Sequence, residues 1–490
     1  MIVIFIVIII LIIIFASKFI EHSKIKFSKN FDNYEWMDDV TKMNKTKIDK
    51  IYYPKSMDDI IQIIKLAKKN NKKIIASGQK HSMGGQSIVK NGFVIDMKFM
   101  NNILKFNKQK KLVTVESGIT WSDLIVFLNN LGFSPKTLQS YSSFSVGGSI
   151  SVNSHGITND YGLHDSIIAI WILNYNTKLI KCNRIKNHKL FSLIIGGYGL
   201  FGIILKVKLK VTKNIFIKFN SNKIKVENFD KIYSKYLNNK LVKIKIARIN
   251  ITNFNQIFLY IFTKKNNNNN KAISNLKEKP GQMSKISRLL YKWILPNKIV
   301  QKIRYNLEDI IGKPFDISND IDSKNQLLYE SATTLSKLYN PLINTNQTHI
   351  LQEFFVPNKN FNEWMKFIKY LFLQKQFEYI ILLNITIRYV KKDTISFLKY
   401  AKNDMYAFVF YYRLPNTEIA DKELMNIHNK LTTKVLKLDG TFYLPYRHHY
   451  NHKQLYIAYP EITDFFKLKK IYDPIELFSN LWYEKYKTIY

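Results

Sequence analysis

Three glycine-rich stretches decide the fold of this chain: Ser77-Gly78-Gln79-Lys80-His81-Ser82-Met83-Gly84-Gly85, Val146-Gly147-Gly148-Ser149-Ile150-Ser151-Val152-Asn153-Ser154-His155-Gly156 and Gly196-Gly197-Tyr198-Gly199-Leu200-Phe201-Gly202-Ile203-Ile204. Each stretch interrupts a strand pattern. Glycine at such a break lets backbone N–H groups approach a phosphate or a planar ring without a Cβ in the way. A Walker or Rossmann loop gathers its glycines into one turn, whereas these turns are far apart in the sequence. They therefore predict three turns that converge on one large ligand.

The segments around these stretches alternate between helix and strand patterns. Pro54 ends a short strand, Ser56 caps the helix that follows, and Asp58 and Asp59 lie in the first turn of that helix. From Leu205 onward, apolar residues alternate strictly with lysines, which is typical of a half-buried strand. Residues 45–213 are therefore predicted to form two α/β lobes with the ligand between them.

A second domain is predicted from residue 214 onward. Its segments 380–390 and 405–412 are rich in β-branched and aromatic residues, as in the central strands of an antiparallel sheet. A helical block is predicted at 285–311, and a strand followed by a helix at 349–373. The predicted fold class is therefore α+β.

The stretches resemble the FAD-linked oxidoreductases of the p-cresol methylhydroxylase/vanillyl-alcohol oxidase type, and within them the sugar-lactone oxidases, alditol oxidases and cytokinin dehydrogenases. The segment Gly78 to Ser82 is similar to the family loop Gly-x-x-His-Ser. The resemblance resumes at Leu351–Pro357 and Tyr472–Phe478. It implies a two-lobed FAD-binding domain at 45–213, a substrate domain at 214–450 and a C-terminal segment, 451–490, that returns to the FAD-binding domain.

The resemblance implies FAD as the cofactor. In the family, the histidine that matches His81 is often bonded covalently to the flavin 8α-methyl group; the alternative is a histidine that only braces the turn. His155 either bonds the pyrophosphate or ribityl chain or braces its loop. The predicted FAD-binding residues are Ser77, Gly78, Gln79, Lys80, His81, Ser82, Gly147, Gly148, Ser149, Ser151, His155, Gly156, Gly199, Gly202 and Ile203.

The implied chemistry is hydride transfer from a substrate C–H to flavin N5, which requires a base for the hydroxyl proton and a cation near the flavin. Alternation places Asn384, Thr386 and Arg388 on one strand face, either as a substrate site or as an ordinary solvated face. Lactone and alditol oxidases have Glu-x-Arg here, with both side chains at the substrate. This chain has Thr386 in place of that glutamate, so the proton must go to another residue.

The segment 443–453 is the densest cluster of histidines and aromatic hydroxyls. Related oxidases carry His-Trp-Gly-Lys near this point, and the motif is absent here. We therefore predict Arg447 or Lys453 as the partner of the flavin charge and His449 as a candidate base, with Arg388 at the substrate. The cluster contains no Asp or Glu, so no metal site is predicted.

The chain carries 75 Lys and Arg against 36 Asp and Glu, a net charge of +39. Such a charge suits a nucleic acid or an anionic membrane. The excess lysine is spread along the chain together with Ile and Asn, however, and a nucleic-acid partner is therefore not predicted. Cys182 is the only cysteine, which excludes an intrachain disulfide and favours a reducing compartment.

Residues 1–20 are apolar apart from Ser17 and Lys18, and a helix of this length just spans a bilayer. A cleaved signal peptide is the alternative, but the segment lacks a basic start, and Ile14 stands where a cut after Ala16 requires a small residue. Lysines follow the span and none precedes it. We expect a single-pass anchor at 1–20 and a tether at 21–44, with the catalytic body in the cytosol.

The expected function is that of an FAD-linked oxidase or dehydrogenase acting on CH–OH groups of a sugar lactone, sugar or polyol, with oxygen or another electron acceptor. Two alternatives stay open. One is a membrane-associated flavoenzyme acting on a lipid-linked sugar or sterol, and the other is a catalytically silent basic scaffold. The glycines of all three loops favour an enzyme over a scaffold.

Overall fold

The structure is a computed structural model. It describes residues 35–265, 276, 301–303, 305–306, 321–330, 346–374 and 377–488. The predicted anchor, most of the tether and most of the predicted helix at 285–311 lie outside these residues. Among the helices that the structure describes, none is both long and apolar enough to span a membrane.

The described chain begins with a two-stranded sheet and a parallel sheet. Strands β1 (Glu35–Met37) and β2 (Thr46–Ile48) pair with each other, and β3 (Lys50–Tyr52), β4 (Ile74–Ser77) and β5 (Phe93–Asp96) form a parallel sheet in the order β3-β5-β4. Helix α1 (Met57–Lys69) connects β3 to β4 and begins at the predicted cap, Ser56, which forms a capping box with Asp59. The first glycine-rich stretch directly follows β4.

A six-stranded antiparallel sheet follows in the chain. Its strands are β6 (Ile103–Asn107), β7 (Leu112–Glu116), β8 (Phe133–Pro135), β9 (Ile167–Leu173), β10 (Leu179–Cys182) and β11 (Ile203–Lys213), in the order β10-β9-β11-β7-β6 with β8 beside β11. Its helices are α2 (Trp121–Asn130), α3 (Val146–Ser151) and α4 (His188–Ile194). The predicted alternation on β11 is confirmed, because Leu205, Val207, Leu209 and Val211 are buried.

The second half is built on an eight-stranded antiparallel sheet. Its order is β15 (Ile321–Ser323), β12 (Phe216–Lys225), β14 (Gln256–Lys264), β13 (Val242–Ile249), β17 (Ile381–Val390), β18 (Met405–Pro415), β16 (Gln347–Pro357) and β19 (Thr441–Phe442). Helices α5 (Phe229–Leu237), α6 (Phe361–Gln374) and α7 (Glu418–Lys437) cover one face. Trp364 of α6, for example, contacts Phe354, Phe408 and Phe410 of the sheet. The mixed content of helix and sheet agrees with the predicted α+β class.

The C-terminal segment contains α8 (His452–Ala458), α9 (Ile462–Tyr472) and α10 (Leu481–Tyr486). Between α9 and α10 the backbone runs beside β4. Ile74 donates its N–H to Leu477 at 2.8 Å, and Ser479 donates to Ile74 at 3.0 Å. The side chain of Asn480 also donates to the carbonyl of Tyr198 in the third glycine-rich stretch, at 2.9 Å. This segment therefore contacts both the strand that leads into the first glycine-rich stretch and the third stretch itself.

Candidate active site

A groove separates the glycine-rich loops from the eight-stranded sheet. Its empty volume is about 1720 Å³ with the open mouth included. The structure brings all three stretches to one wall of this groove. The predicted FAD-binding residues on that wall are Ser77, Gly78, Gln79, Lys80, His81, Ser82, Gly147, Gly148, Ser149, Ser151, His155, Gly199 and Gly202.

Two predicted FAD-binding residues do not line the groove. The backbone of Gly156 turns away and donates to the carbonyl of Tyr161 at 3.1 Å. Ile203 is 1% exposed and packs in the core near the parallel sheet. Its neighbour Ile204 lines the wall instead, because successive side chains of a strand point to opposite faces.

The glycines of this wall allow close packing between loops. A Cβ on Gly78 would lie 2.2 Å from Ser145 Oγ, and one on Gly147 would lie 2.7 Å from Ser117 Cβ. Neither distance is possible between real atoms without movement. The close approach of the first stretch to Ser145, and of the second stretch to Ser117, therefore depends on glycine at positions 78 and 147.

Polar groups of this wall fit a phosphate-bearing ligand. Ser77 Oγ and Ser117 Oγ are buried and make no hydrogen bond with the described chain. The backbone N–H groups of Gln79, Lys80 and Ser82 likewise donate to no acceptor in the described residues. Buried hydroxyl groups such as those of Ser77 and Ser117 are normally satisfied by a partner, and successive N–H groups in a turn form an anion-binding concavity. The wall thus fits the pyrophosphate of FAD.

His81 lies in the groove wall against the ring of Phe144, with 4.3 Å between the ring centroids. Burial lowers the pKa of His81 from 6.5 to about 4. The imidazole is therefore neutral near pH 7. In that state one of its ring nitrogens carries the lone pair needed to form a covalent bond.

The opposite wall is one face of the eight-stranded sheet. Register places Asn384, Tyr411 and Leu351 in one row across β17, β18 and β16, and Thr386, Val409 and Glu353 in the next. All six line the groove. Arg388 follows in the third row, opposite Ala407. The predicted residues Asn384, Thr386 and Arg388 are half-buried and lie together on the groove side of the sheet.

Arg388 presents its guanidinium group to the groove. Its Nη2 donates to Ser140 Oγ, and its Nε is buried without a hydrogen bond in the described chain. No described Asp or Glu forms an ion pair with it. A guanidinium is always charged in proteins. The groove therefore contains a positive charge that is available to oxygen atoms of a ligand.

Glu353 and His155 join the two walls. Imidazole Nε2 of His155 donates to Glu353 Oε1 at 2.5 Å, and the two side chains are only 5% and 2% exposed. The sequence indicated Glu353 only as part of a family-like strand. The available signal was a carboxylate in the otherwise largely apolar run 350–356.

The structure places the other predicted catalytic residues away from the groove. Arg447 forms an ion pair with Asp421 at 2.5 Å, and His449 Nε2 bonds Asp421 Oδ1 at 2.9 Å. Lys453 is exposed on α8. None of the three lines the groove.

Strand alternation explains this placement. Gln352 precedes Glu353 on β16, so its side chain points to the helix-covered face, where it hydrogen-bonds His449 Nδ1 at 3.2 Å. Burial raises the pKa of Asp421, but His449 and Arg447 outweigh burial and lower it to about 2. The segment before α8 contributes Tyr443, Pro445 and Tyr446 to the groove instead.

Two family models match the chain. The model of the FAD binding domain matches residues 48–183, and that of D-arabinono-1,4-lactone oxidase matches residues 249–486. Together they include the sheet wall of the groove and the first two glycine-rich stretches, while the third stretch, 196–204, lies between the two matches.

Individual relatives are similar mainly in one segment. L-gulonolactone oxidase of Mus musculus is 31% identical over 160 residues, which is 32% of this chain and 36% of the relative. D-arabinono-1,4-lactone oxidase of Saccharomyces cerevisiae is 26% identical over 211 residues, or 42% and 39%. Cytokinin dehydrogenase 2 of Arabidopsis thaliana is 28% identical over 160 residues, or 32% of each. The chain thus spans between about a third and two fifths of the length of these curated relatives.

The predicted resemblance is confirmed by these matches, and FAD is the cofactor that the matched domain binds. With its FAD binding domain followed by a D-arabinono-1,4-lactone oxidase domain, the chain belongs to the FAD-linked oxidoreductases of the p-cresol methylhydroxylase/vanillyl-alcohol oxidase type.

Proposed function

We propose that this protein oxidises a CH–OH group of a sugar lactone, sugar or polyol, with FAD as the first electron acceptor and oxygen or another compound as the second. The observation that carries the proposal is the groove itself. The FAD-binding loops form one wall, and a polar sheet face with an unpaired Arg388 forms the other. A substrate between these walls lies against the flavin and the guanidinium at once.

Bound FAD supplies a two-electron acceptor that takes a hydride from a substrate C–H. The residues of the chain do the rest. Arg388 binds a substrate oxygen through its fixed array of N–H donors. Thr386 lies in the next row and Asn384 in the row beyond it, and they offer a hydroxyl and an amide to further oxygens. The enclosing walls hold the reacting carbon in place and exclude water.

The polarity of this face supports an oxygen-rich substrate. Arg388, Asn384, Thr386 and Glu353 together present more hydrogen-bonding groups than an apolar ring would use. Burying such groups against an apolar ligand would leave them unsatisfied, at a cost of about 1–3 kcal/mol each. This favours the lactones of the gulonolactone and arabinonolactone oxidases over a substrate like that of the cytokinin dehydrogenases.

The proposal is tested with the purified full-length flavoprotein under anaerobic conditions. L-Gulono-1,4-lactone, D-arabinono-1,4-lactone and xylitol are added separately, and reduction is followed as loss of the visible flavin absorbance. Reduction by at least one of them is expected. Failure of all three, with FAD bound and reducible by dithionite, would contradict the proposal.

Arg388→Ala adds a second arm to this experiment. We expect flavin binding to remain and reduction by substrate to fall by about 100-fold or more, because the lost cation lies half-buried in the groove. Lys453→Ala is the matched control, since that cation is exposed and outside the groove. It should reduce like the wild type, and an equal loss in both variants would remove Arg388 from the site.

A further inference from the structure

We propose that Glu353 is the catalytic base that accepts the substrate hydroxyl proton, and that His155 positions its carboxylate. This inference rests on the proposed function, because it assigns the proton that such an oxidation must release. The oxidation needs a proton acceptor on the groove face, and the hydroxyl of Thr386 on that face cannot act as a carboxylate base.

The sheet register shows where a carboxylate is available. Thr386 pairs with Val409, and Val409 pairs with Glu353. The three side chains therefore share one face, and Glu353 lies two strands from Thr386 in the same row. Neighbouring strands are about 4.8 Å apart, so the Cα atoms of these two residues are roughly 10 Å apart. The carboxylate remains on the groove side of the sheet.

Glu353 is also the sole acidic residue among the described residues that line the groove. Arg388 is in the adjacent row of the same face. Arg388 is also two strands from Glu353 across the sheet. A substrate that spans the groove can therefore place one oxygen at the guanidinium and present a hydroxyl to the carboxylate, as a general base requires.

The hydrogen bonding of Glu353 leaves one oxygen for this task. Oε1 accepts from His155 Nε2 at 2.5 Å. Oε2 makes no hydrogen bond with the described chain, and Glu353 lines the groove. Oε2 is therefore the carboxylate oxygen that is left for a ligand in the groove. An ionised carboxylate can accept at both oxygens, so a bond at Oε1 leaves Oε2 able to accept a proton.

His155 connects the proposed base to the groove wall that the glycine-rich stretches form. It belongs to the second glycine-rich stretch, which lines the FAD side of the groove. The rings of Phe355, Tyr400 and Tyr443 pack edge-on around its imidazole, with centroid distances of 5.8, 6.0 and 6.1 Å. A ring packed in this way has little freedom to rotate. The imidazole thus fixes the carboxylate relative to the loops that hold the flavin.

The step balances without a further reactant. The substrate O–H bond breaks and its proton passes to Glu353 Oε2. The C–H bond breaks and its electron pair leaves with the hydrogen as the hydride that FAD accepts. The C–O bond becomes a carbonyl, so the substrate is oxidised by two electrons. The second acceptor, oxygen or another oxidant, later removes those electrons.

Glu353→Gln is the direct test, because glutamine keeps the shape and can still accept from His155 but carries no charge. The full-length variant is mixed anaerobically with the lactone that reduces the wild type. We expect flavin reduction to slow by about 100-fold or more, which is the usual range for loss of a general base. Glu363→Gln, which removes an exposed carboxylate on α6, is the control and should leave the rate unchanged.

Two measurements without turnover show whether the site is intact. Calorimetry on dithionite-reduced protein gives the lactone Kd, which should change by less than about tenfold although the rate falls further. Ring ¹⁵N spectra, assigned with His155→Gln, should show the same proton on Nε2 in the wild type and in Glu353→Gln. A purely structural role predicts instead a changed imidazole signal or a Kd change as large as the rate change.

Glu353→Ala covers the case in which the glutamine variant does not fold. It opens space that acetate or formate can enter, and either anion should restore part of the lost rate in proportion to its concentration. Wild-type protein that neither the two lactones nor xylitol reduces would remove the proposed function and this inference with it. Lactone reduction in the wild type with an equal rate in Glu353→Gln, or with no rescue of Glu353→Ala, would overturn the inference alone.

Discussion

Replacing Gly147 with alanine tests whether the affinity for FAD depends on the position of the groove wall and not on the stability of the fold. Gly147 lies in α3, and its N–H donates to the carbonyl of Ser117 at 2.7 Å. A Cβ at this position would lie 2.7 Å from Ser117 Cβ and 3.0 Å from Ser117 O. The obstructing atoms are the Cβ and the backbone carbonyl oxygen of Ser117, which directly follows β7. Side-chain rotation cannot move either atom, because the backbone fixes both. The helix must therefore move.

The size of the movement follows from the distances. Carbon atoms in contact are about 3.5–4.0 Å apart, so α3 must shift by about 1 Å from Ser117. Overpacking of this kind costs about 1–3 kcal/mol, and the higher helix propensity of alanine offsets about 1 kcal/mol of it. Because Gly147 lines the groove, the same shift displaces the flavin wall. We expect FAD affinity to fall by about 10- to 100-fold, or about 1.4–2.8 kcal/mol.

The assay is FAD titration of the apoprotein in a His81→Ala background, so that a covalent bond cannot hide the equilibrium. Thermal unfolding is measured in parallel. Gly132→Ala is the matched control, since Gly132 has a φ of +76° with no atom near its virtual Cβ and lies outside the groove. Alanine in this left-handed conformation costs about 1–2 kcal/mol of stability, and FAD affinity should not change.

The reasoning is refuted if Gly147→Ala binds FAD as the wild type does. It is also refuted if Gly132→Ala loses as much affinity as Gly147→Ala, because the effect would then follow stability and not the position of the wall.

Two further predictions concern His81 and Asp421. We predict that the neutral imidazole of His81 bonds covalently to the flavin, so wild-type protein precipitated with acid should keep its yellow colour in the pellet. In His81→Ala the colour should pass to the supernatant. Wild-type protein that releases its colour would contradict the bond and favour the alternative, a histidine that only braces the turn. Asp421→Asn should lower the free energy of unfolding by about 2 kcal/mol near pH 7, since the Asp421 pKa is held at about 2 against 3.8 and each unit corresponds to about 1.4 kcal/mol. A depressed carboxyl pKa stabilises the fold above the unfolded value and loses that effect as pH falls through the folded value, so the difference between the two proteins should narrow between about pH 4 and pH 2. Denaturant unfolding at several pH values measures the free energies of unfolding of the two proteins. A difference that does not change with pH would contradict its assignment to the lowered pKa of Asp421.

Local patterns predicted much of the fold because they depend on neighbouring residues. Ser56 and Asp59 form the helix start that their types indicate, and alternation along β11 and β17 identified the buried and groove-facing sides. The glycine-rich stretches likewise predict close-packed turns by their composition alone, since few other residues fit where loops approach so closely.

The rest depends on contacts between distant parts of the chain. His449 and Arg447 lie in the predicted cluster, but their orientation is set by Asp421 of α7 and by Gln352 of β16. Glu353 forms a hydrogen bond with His155, which is 198 positions earlier in the sequence. Nothing in either local sequence indicates that pair, because it arises only from the register of β16 and the approach of the second glycine-rich stretch.

The central claim is that the groove is an FAD site. The most direct measurement is the visible spectrum of the purified full-length chain, followed by the ratio of FAD to protein after incubation with excess FAD and removal of the unbound cofactor. A yellow protein with one FAD per chain is the predicted result. A colourless chain that takes up no FAD, although folded, would contradict the account.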